Sequence, residues 1–358
     1  MSERDITREG DSYRRLSRFY WVAADGNSAR NYADKAIQTL ASQRGPELAM
    51  AQSTVAQLAM LDNNYDAVVG PSNSAMQLAE EFERPDILSH SLNNLGMSFV
   101  CTDPDYGRSL LQRSLDTATE IRSFDNAGRA YTNLAFFELA RLNYRQAIDF
   151  ARQRVQFCRD TDQEGMATYL SGAVAWAQIQ LGQYDDAFDQ ARQTYSLEAD
   201  MAISNPQAFS SAISILWISM RRGDGPGVEA FEVLQSFIVG MDEMQRLCVY
   251  AKVMAERAWL GLEPRERAIE ILSDVVAKVN DICHVPFVVL WLHKLDPGCS
   301  LPSSNYLLEP VRLQISGRWR ETANAWAAKG GSARYARSRV LGSRRLGHDS
   351  QRLRTQPA

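Results

Sequence analysis

Two stretches of this chain repeat one pattern: LNYRQAIDFARQRVQFC, from Leu142 to Cys158, and LGQYDDAFDQARQTYSLEAD, from Leu181 to Asp200. In each, a tyrosine at a turn is followed three residues later by an alanine, and an alanine–arginine pair begins one helical turn beyond that alanine. With the small residue after the turn as a marker, the pattern extends to Ala29, Ala67, Ser109, Ala147, Ala187, Ala230 and Ala268, a repeat of about forty residues. Apolar residues recur at spacings of three and four and strand-like alternation is nearly absent, so the period belongs to pairs of helices. A single helical hairpin cannot bury its own apolar stripe, whereas hairpins stacked in a row make a continuous core. The expected fold class is therefore all-α: an α-α superhelix, or solenoid, of about seven to eight helical hairpins.

The units differ in how they turn. The fourth reads NAGRAYTNLAFFELARL, turns at Asn143-Tyr144, and continues as RQAIDFARQRVQFC, where Ala147 lets the helices approach. The third places Leu95-Gly96 where the fourth has Leu134-Ala135, and the fifth uses Gly182 to end its first helix, as a residue tolerant of positive φ should. In the second, Pro71 is expected to bend or delay the second helix. The first turns at Asp25-Gly26, and the sixth has the loose turn RRGDGPGVEA. Proline, glycine and serine from Pro297 to Ser304 make a loop before a last pair, VRLQISGRWRETANAWAAKG. Residues 1–330 are expected to form the repeat domain and 331–358 a basic, disordered tail.

Composition narrows the class. With 358 residues and 45% apolar side chains a sizeable core is assured, and a formal charge of -4 provides no large field for gripping nucleic acid. Five cysteines, an odd and scattered set, argue against a secreted disulfide framework. The N-terminus is polar and charged, and no stretch reaches the roughly 18 apolar residues a membrane span needs. These features point to the cytoplasm and to no membrane partner.

The leucine-small pair in the first helix, the tyrosine at the turn and the alanine opening the second helix resemble the tetratricopeptide repeat. More specifically, RLSRFYWVAADGNSARNYADKAIQTL, LQRSLDTATEIRSFDNAGRAYTNLAFFELARLNYRQAIDF and LQISGRWRETANAWAAKGG look like the repeat region of large bacterial LuxR-type transcriptional regulators. The likeness covers most of residues 11 to 331. Such regulators carry a signal-transduction ATPase in front and a helix-turn-helix behind; this sequence has neither. The resemblance implies a tetratricopeptide-like signal-transduction module that binds a protein or peptide partner in a concave groove.

Catalytic constellations are missing from the sequence. There is no G-x-x-x-x-G-K-[ST]; GDGPG, Gly223 to Gly227, is either an anion-binding helix start or a plain solenoid turn. Cys283, His284, His293 and Cys299 lie in one window, but Cys283 and His284 are adjacent and VPFVVLWL is a core-type run, a poor match to zinc-ligand spacing. No G-x-S-x-G elbow exists, and Asp185-Asp186 and Glu80-Glu81 read as solvated charge. No enzyme activity, cofactor or metal is expected.

Asn94 and Asn133 occupy equivalent places before the leucine-small pair of successive first helices. The resemblance implies that such asparagines line the groove and hold the backbone of an extended peptide, with Arg129 and Arg257 as charge partners; alternatively the amides bond only to neighbouring helices. Tyr131, Tyr169, Trp176, Trp217 and Trp259 either line a pocket for a small-molecule effector or are core. The tail from Gly331 holds seven arginines and one acid, Asp349, and is read either as a solvated end or as a nucleic-acid contact. Its abrupt change of composition raises the expectation of a truncated or split regulator.

Overall fold

The computed structural model describes residues 5–23, 25–160, 164–200, 209–222, 243–278 and 285–299. These form fourteen helices: α1 (Ile6–Val22), α2 (Gly26–Leu40), α3 (Pro46–Leu61), α4 (Asp66–Glu81), α5 (Pro85–Ser98), α6 (Pro104–Glu120), α7 (Phe124–Ala140), α8 (Tyr144–Asp160), α9 (Glu164–Gln180), α10 (Tyr184–Asp200), α11 (Phe209–Arg222), α12 (Glu243–Trp259), α13 (Arg265–Lys278) and α14 (Val285–Leu295). No described residue is in a strand, and no helix among them is long and apolar enough to cross a membrane.

Local chemistry sets the helix ends. Asp5, Asp25 and Asp103 each accept a backbone N–H three residues on, at 3.1, 3.0 and 3.1 Å, filling donors that a helix start leaves open. Pro46, Pro85 and Pro104 stand in first turns, where a missing N–H is no loss. Six helices close alike, on a left-handed residue two positions past the last helical one: Asn63, Glu83, Arg122, Leu142, Gly182 and Gly261, with φ of 55°, 51°, 56°, 62°, 77° and 74°. The next N–H then reaches back to the helix, as Arg84 to the Ala79 carbonyl at 2.8 Å and Gln183 to that of Gln178 at 2.9 Å. Gly182 thus ends its helix as its sequence position predicts.

The chain divides into two compact units, Met1–Ala140 with Phe150–Ala167 and Arg141–Asp149 with Thr168–Ala358. Within them, the substantial contacts join helices that are adjacent or next but one along the chain. In the first unit the second helices are amphipathic: α2 buries Ala29, Ala33, Ala36 and Leu40 and exposes its other face. Of the first helices, α3, α5 and α7 are covered on most sides; in α5 every residue from Ile87 to Ser98 except Leu88 is buried. Much of that buried surface is polar, and the candidate site lies there.

The marker residues need correction in two units. Ala29, Ala147, Ala187 and Ala268 are buried, but Ala67 and Ser109 are exposed, and Val68 and Gly107 take the buried positions. The phase of each helix decides which residue faces its neighbour, and in α6 glycine is smaller than the serine two places on. Helix α4 runs unbroken from Asp66 through Pro71, so the proline sits in the second turn and does not delay the start. Ala230, the GDGPG turn, Cys283, His284, the last helical pair and the basic tail lie outside the described residues.

Candidate functional site

Three of the residues singled out in the sequence meet in the first unit. Asn94, fully buried on α5, donates its amide to the Ser53 carbonyl of α3 at 2.9 Å and accepts from Nη2 of Arg129 on α7 at 2.9 Å. Asn133 lies one turn beyond Arg129, on the same face of α7, and donates its amide to Oδ1 of Asn93. Two rungs, Arg129–Asn94 and Asn133–Asn93, therefore join α7 to α5. A third bond runs from the Asn126 amide to the Asp86 carbonyl at 2.8 Å. On the α3 side, Nδ1 of His90 lies 2.7 Å from the Ser53 hydroxyl, which is also 2.9 Å from that of Ser91.

The ladder is electropositive. Burial first, then the charge of Arg18, brings the Arg129 guanidinium down to about 10, with Asp125 one turn away opposing them; it stays charged at neutral pH. Burial, followed by the charges of Arg129, Arg18 and Arg14, holds His90 well below the usual imidazole range, so it is neutral. Arg129 and Asn133 keep partial exposure, while Asn93 and Asn94 are buried. Tyr131, also in this unit, packs its ring 5.9 Å from that of Phe157.

The other singled-out residues lie in the second unit. Trp176 on α9 and Trp217 on α11 have ring centroids 5.6 Å apart, and the Lys252 ammonium of α12 stands 5.3 Å over the Trp176 ring. Trp217 is buried, and Trp176 packs half-buried against a cluster that includes Ile213, Leu216 and Val253. The Arg221 guanidinium covers the Trp217 ring at 4.1 Å and binds the buried Glu256 carboxylate, Nε to Oε1 at 2.7 Å and Nη2 to Oε2 at 3.3 Å. Arg257 turns toward the loop after α12, where Nη2 is 3.1 Å from Glu263. Trp259 pairs edge-to-face with Trp291 at 6.1 Å. Tyr169 belongs to α9, but its side chain is outside the described residues.

Sequence reasoning missed Ser53, His90 and Asn93, which complete the ladder. The signal was present in SHSLNN, Ser89 to Asn94, a polar run inside a first helix. A helix buried on every side must satisfy such groups against its neighbours.

No protein-family model matches the chain, and no curated protein matches its sequence. The likeness lies in solved structures. A Rap protein complexed with Competence and Sporulation Factor superposes with a TM-score of 0.59 at 12% identity, over 82% of this chain and 87% of that one. The Rap conjugation gene regulator of the plasmid pLS20, in complex with the Phr* peptide, gives 0.57 at 9%, over 96% and 98%. NprR in complex with its cognate peptide NprX gives 0.52 at 13%, over 99% and 100%. At these identities the likeness is one of fold, and the chain is an all-α, tetratricopeptide-like solenoid.

Proposed function

We propose that this chain is a non-enzymatic helical-repeat scaffold that binds a protein or peptide along its first helices, as the regulatory module of a LuxR-type transcriptional regulator working in the cytoplasm. The observation that carries the reading is the polar ladder of α3, α5 and α7: a buried asparagine and arginine network on the layer that should face the groove of such a solenoid, with donors left over. The peptide complexes of the Rap and NprR structures support it, since a similar fold holds peptides there. The LuxR-type assignment rests on the sequence resemblance across residues 11 to 331, with residues 1–330 as the repeat domain and 331–358 as its basic tail. A small-molecule effector at Trp176 and Trp217 is the second reading, favoured by the ammonium poised over the Trp176 ring.

Photocrosslinking of the full chain with a mixed, diazirine-bearing pentapeptide pool, followed by mass mapping, tests the first reading. Adducts on α3, α5 and α7 are expected. Adducts confined to the outer faces of α2, α4 and α6, or none at all, would refute it. For the regulator assignment, an ATPase or helix-turn-helix frame beside the coding sequence is the expected finding.

A further inference from the structure

Helix α1 carries four of the eight large apolar side chains that are exposed among the described residues: Ile6, Leu16, Phe19 and Val22. Phe19 and Val22 are the most exposed of the eight, at 65% and 68%. Among the described helices, α1 makes its substantial contacts with α2 and α3 alone. Gly10 lies against Leu40 of α2, and Trp21 packs on a cluster that holds Ala29 and Ala33 of α2 and Leu58 of α3. On the other side of the helix Ser12, Leu16, Phe19 and Ala23 are all exposed. Their spacing of four, three and four is that of the a and d seam of a coiled coil, and the seam carries no charge.

Aromatic rings widen this face toward α2. Phe19 meets Tyr20 edge-on at 5.7 Å, Tyr20 stacks on Tyr32 of α2 at 5.2 Å, and Tyr32 stacks on Tyr13 at 6.1 Å. The Lys35 ammonium, 4.8 Å over the Tyr32 ring, ends the row. A hairpin face of a helical-repeat array that is left to water is polar. One lined by Leu16, Phe19 and a row of rings has the chemistry of a contact surface.

We propose that a second copy of this chain covers the face, with α1 lying antiparallel on α1 about a twofold axis. The seam matches itself in that orientation. Leu16 at a meets Phe19 at d of the second copy, and Phe19 meets the second copy's Leu16. One turn out, Ser12 faces Ala23 of the second copy, so small residues flank the large pair and let the helices close. A seam without charge sets no like charges against each other across the axis, which a self-pairing surface requires. At 1.5 Å per residue α1 is about 25 Å long, and the hairpin it forms with α2 is about 20 Å wide. Such a footprint removes about 1,000 Å² from water over both copies, the lower end for a specific interface. The surface belongs to α1 and α2 and is separate from the ladder of α3, α5 and α7, so it holds whether or not that ladder binds a peptide.

Sedimentation velocity of the full chain over a range of concentrations tests the pairing. A reversible monomer–dimer equilibrium is expected, with a Kd on the order of 1–100 μM for an interface of this size. Phe19→Glu sets two carboxylates beside the axis and should weaken the dimer roughly tenfold or more. Its side chain is mostly exposed, so the far-ultraviolet circular dichroism should not change. Leu16→Lys should act in the same way and gives a second reading if Phe19→Glu fails to fold. Leu262→Glu, at an exposed apolar residue of the second unit, should leave association as it was. The register has its own readout. In the double variant Ser12→Cys with Ala23→Cys the two positions lie about 16 Å apart along one helix, too far for a disulfide within a chain. Oxidation should therefore join residue 12 of one copy to residue 23 of the other, seen by peptide mapping. Links of 12 to 12 or 23 to 23 would overturn the antiparallel arrangement. A dimer indifferent to both Phe19→Glu and Leu16→Lys would place the contact elsewhere and overturn the proposal. A monomer at every concentration would leave the face to a different protein or a further helical segment, and would overturn self-pairing.

Discussion

Gly96 on α5 and Gly107 on α6 meet backbone to backbone: a methyl group on Gly96 would stand 2.8 Å from the Gly107 carbonyl oxygen, and one on Gly107 2.7 Å from that of Gly96. Neither main chain can yield without separating the two helices. Gly96→Ala and Gly107→Ala should each lower stability by about 2 kcal/mol, read as a lower denaturant midpoint. Gly70→Ala is the control: beyond its chain neighbours and its own helix backbone nothing lies within 4 Å of its added methyl, so a helix-propensity gain of about 1 kcal/mol is set only against the crowding Pro71 imposes on the residue before it, and the loss seen at Gly96 and Gly107 should be absent.

The left-handed turns offer a gain. Glu83 and Arg122 hold φ of 51° and 56°, and both are exposed. A side chain there is strained by about 1–2 kcal/mol, of which glycine returns roughly half through its freer unfolded state. Glu83→Gly and Arg122→Gly should each stabilise by up to about 1 kcal/mol and add in the double variant. Gly182→Ala should destabilise by a similar amount; calorimetry on the set decides.

His90 makes stability depend on pH. Its folded value is depressed, so the unfolded chain takes up a proton first, and the contribution present above about pH 6.5 is lost as pH falls. Between pH 7.5 and 5.5 the loss from this residue should reach about 1 kcal/mol. Urea titrations across that range should show the slope flattened by that amount in His90→Asn. Arg129, Arg18 and Arg14 are the cations that help hold His90 neutral.

In the second unit the Glu256 carboxylate is 1% exposed and Arg221 about one-third exposed. Arg221→Met leaves a buried charge poorly paired and should cost about 2 kcal/mol, discounted for the exposed arginine. Arg221→Met with Glu256→Met should recover most of the loss. A double variant destabilised by the sum of the Arg221→Met and Glu256→Met losses in a denaturant cycle would show that the pair carries no coupling.

The repeat was legible because four hairpins solve the same contact with an alanine after the turn, and Ala29, Ala147, Ala187 and Ala268 are buried accordingly. Ala67 and Ser109 misled because smallness alone does not report helical phase. Asn94, Asn133 and Arg129 stood out by position, yet their partners did not. Ser53, Asn93 and Asp86 sit about one repeat away, and only the packing of α5 between α3 and α7 says which faces meet. Arg257 reads as a groove residue until the turn after α12 places Glu263 against it. Rings such as Trp217 read alike as lining or core until their neighbours are known.

The rungs between α3, α5 and α7 make the length of this protein a quantised property. Each residue of an α-helix advances the side chains by about 100°, so losing a single position ahead of His90 would swing Asn93 and Asn94 off both neighbours at once. Copying a whole hairpin leaves every donor opposite an acceptor. Insertions and deletions in the inner helices are therefore survivable only in steps of about forty residues, and drift in size must fall on the turns between them.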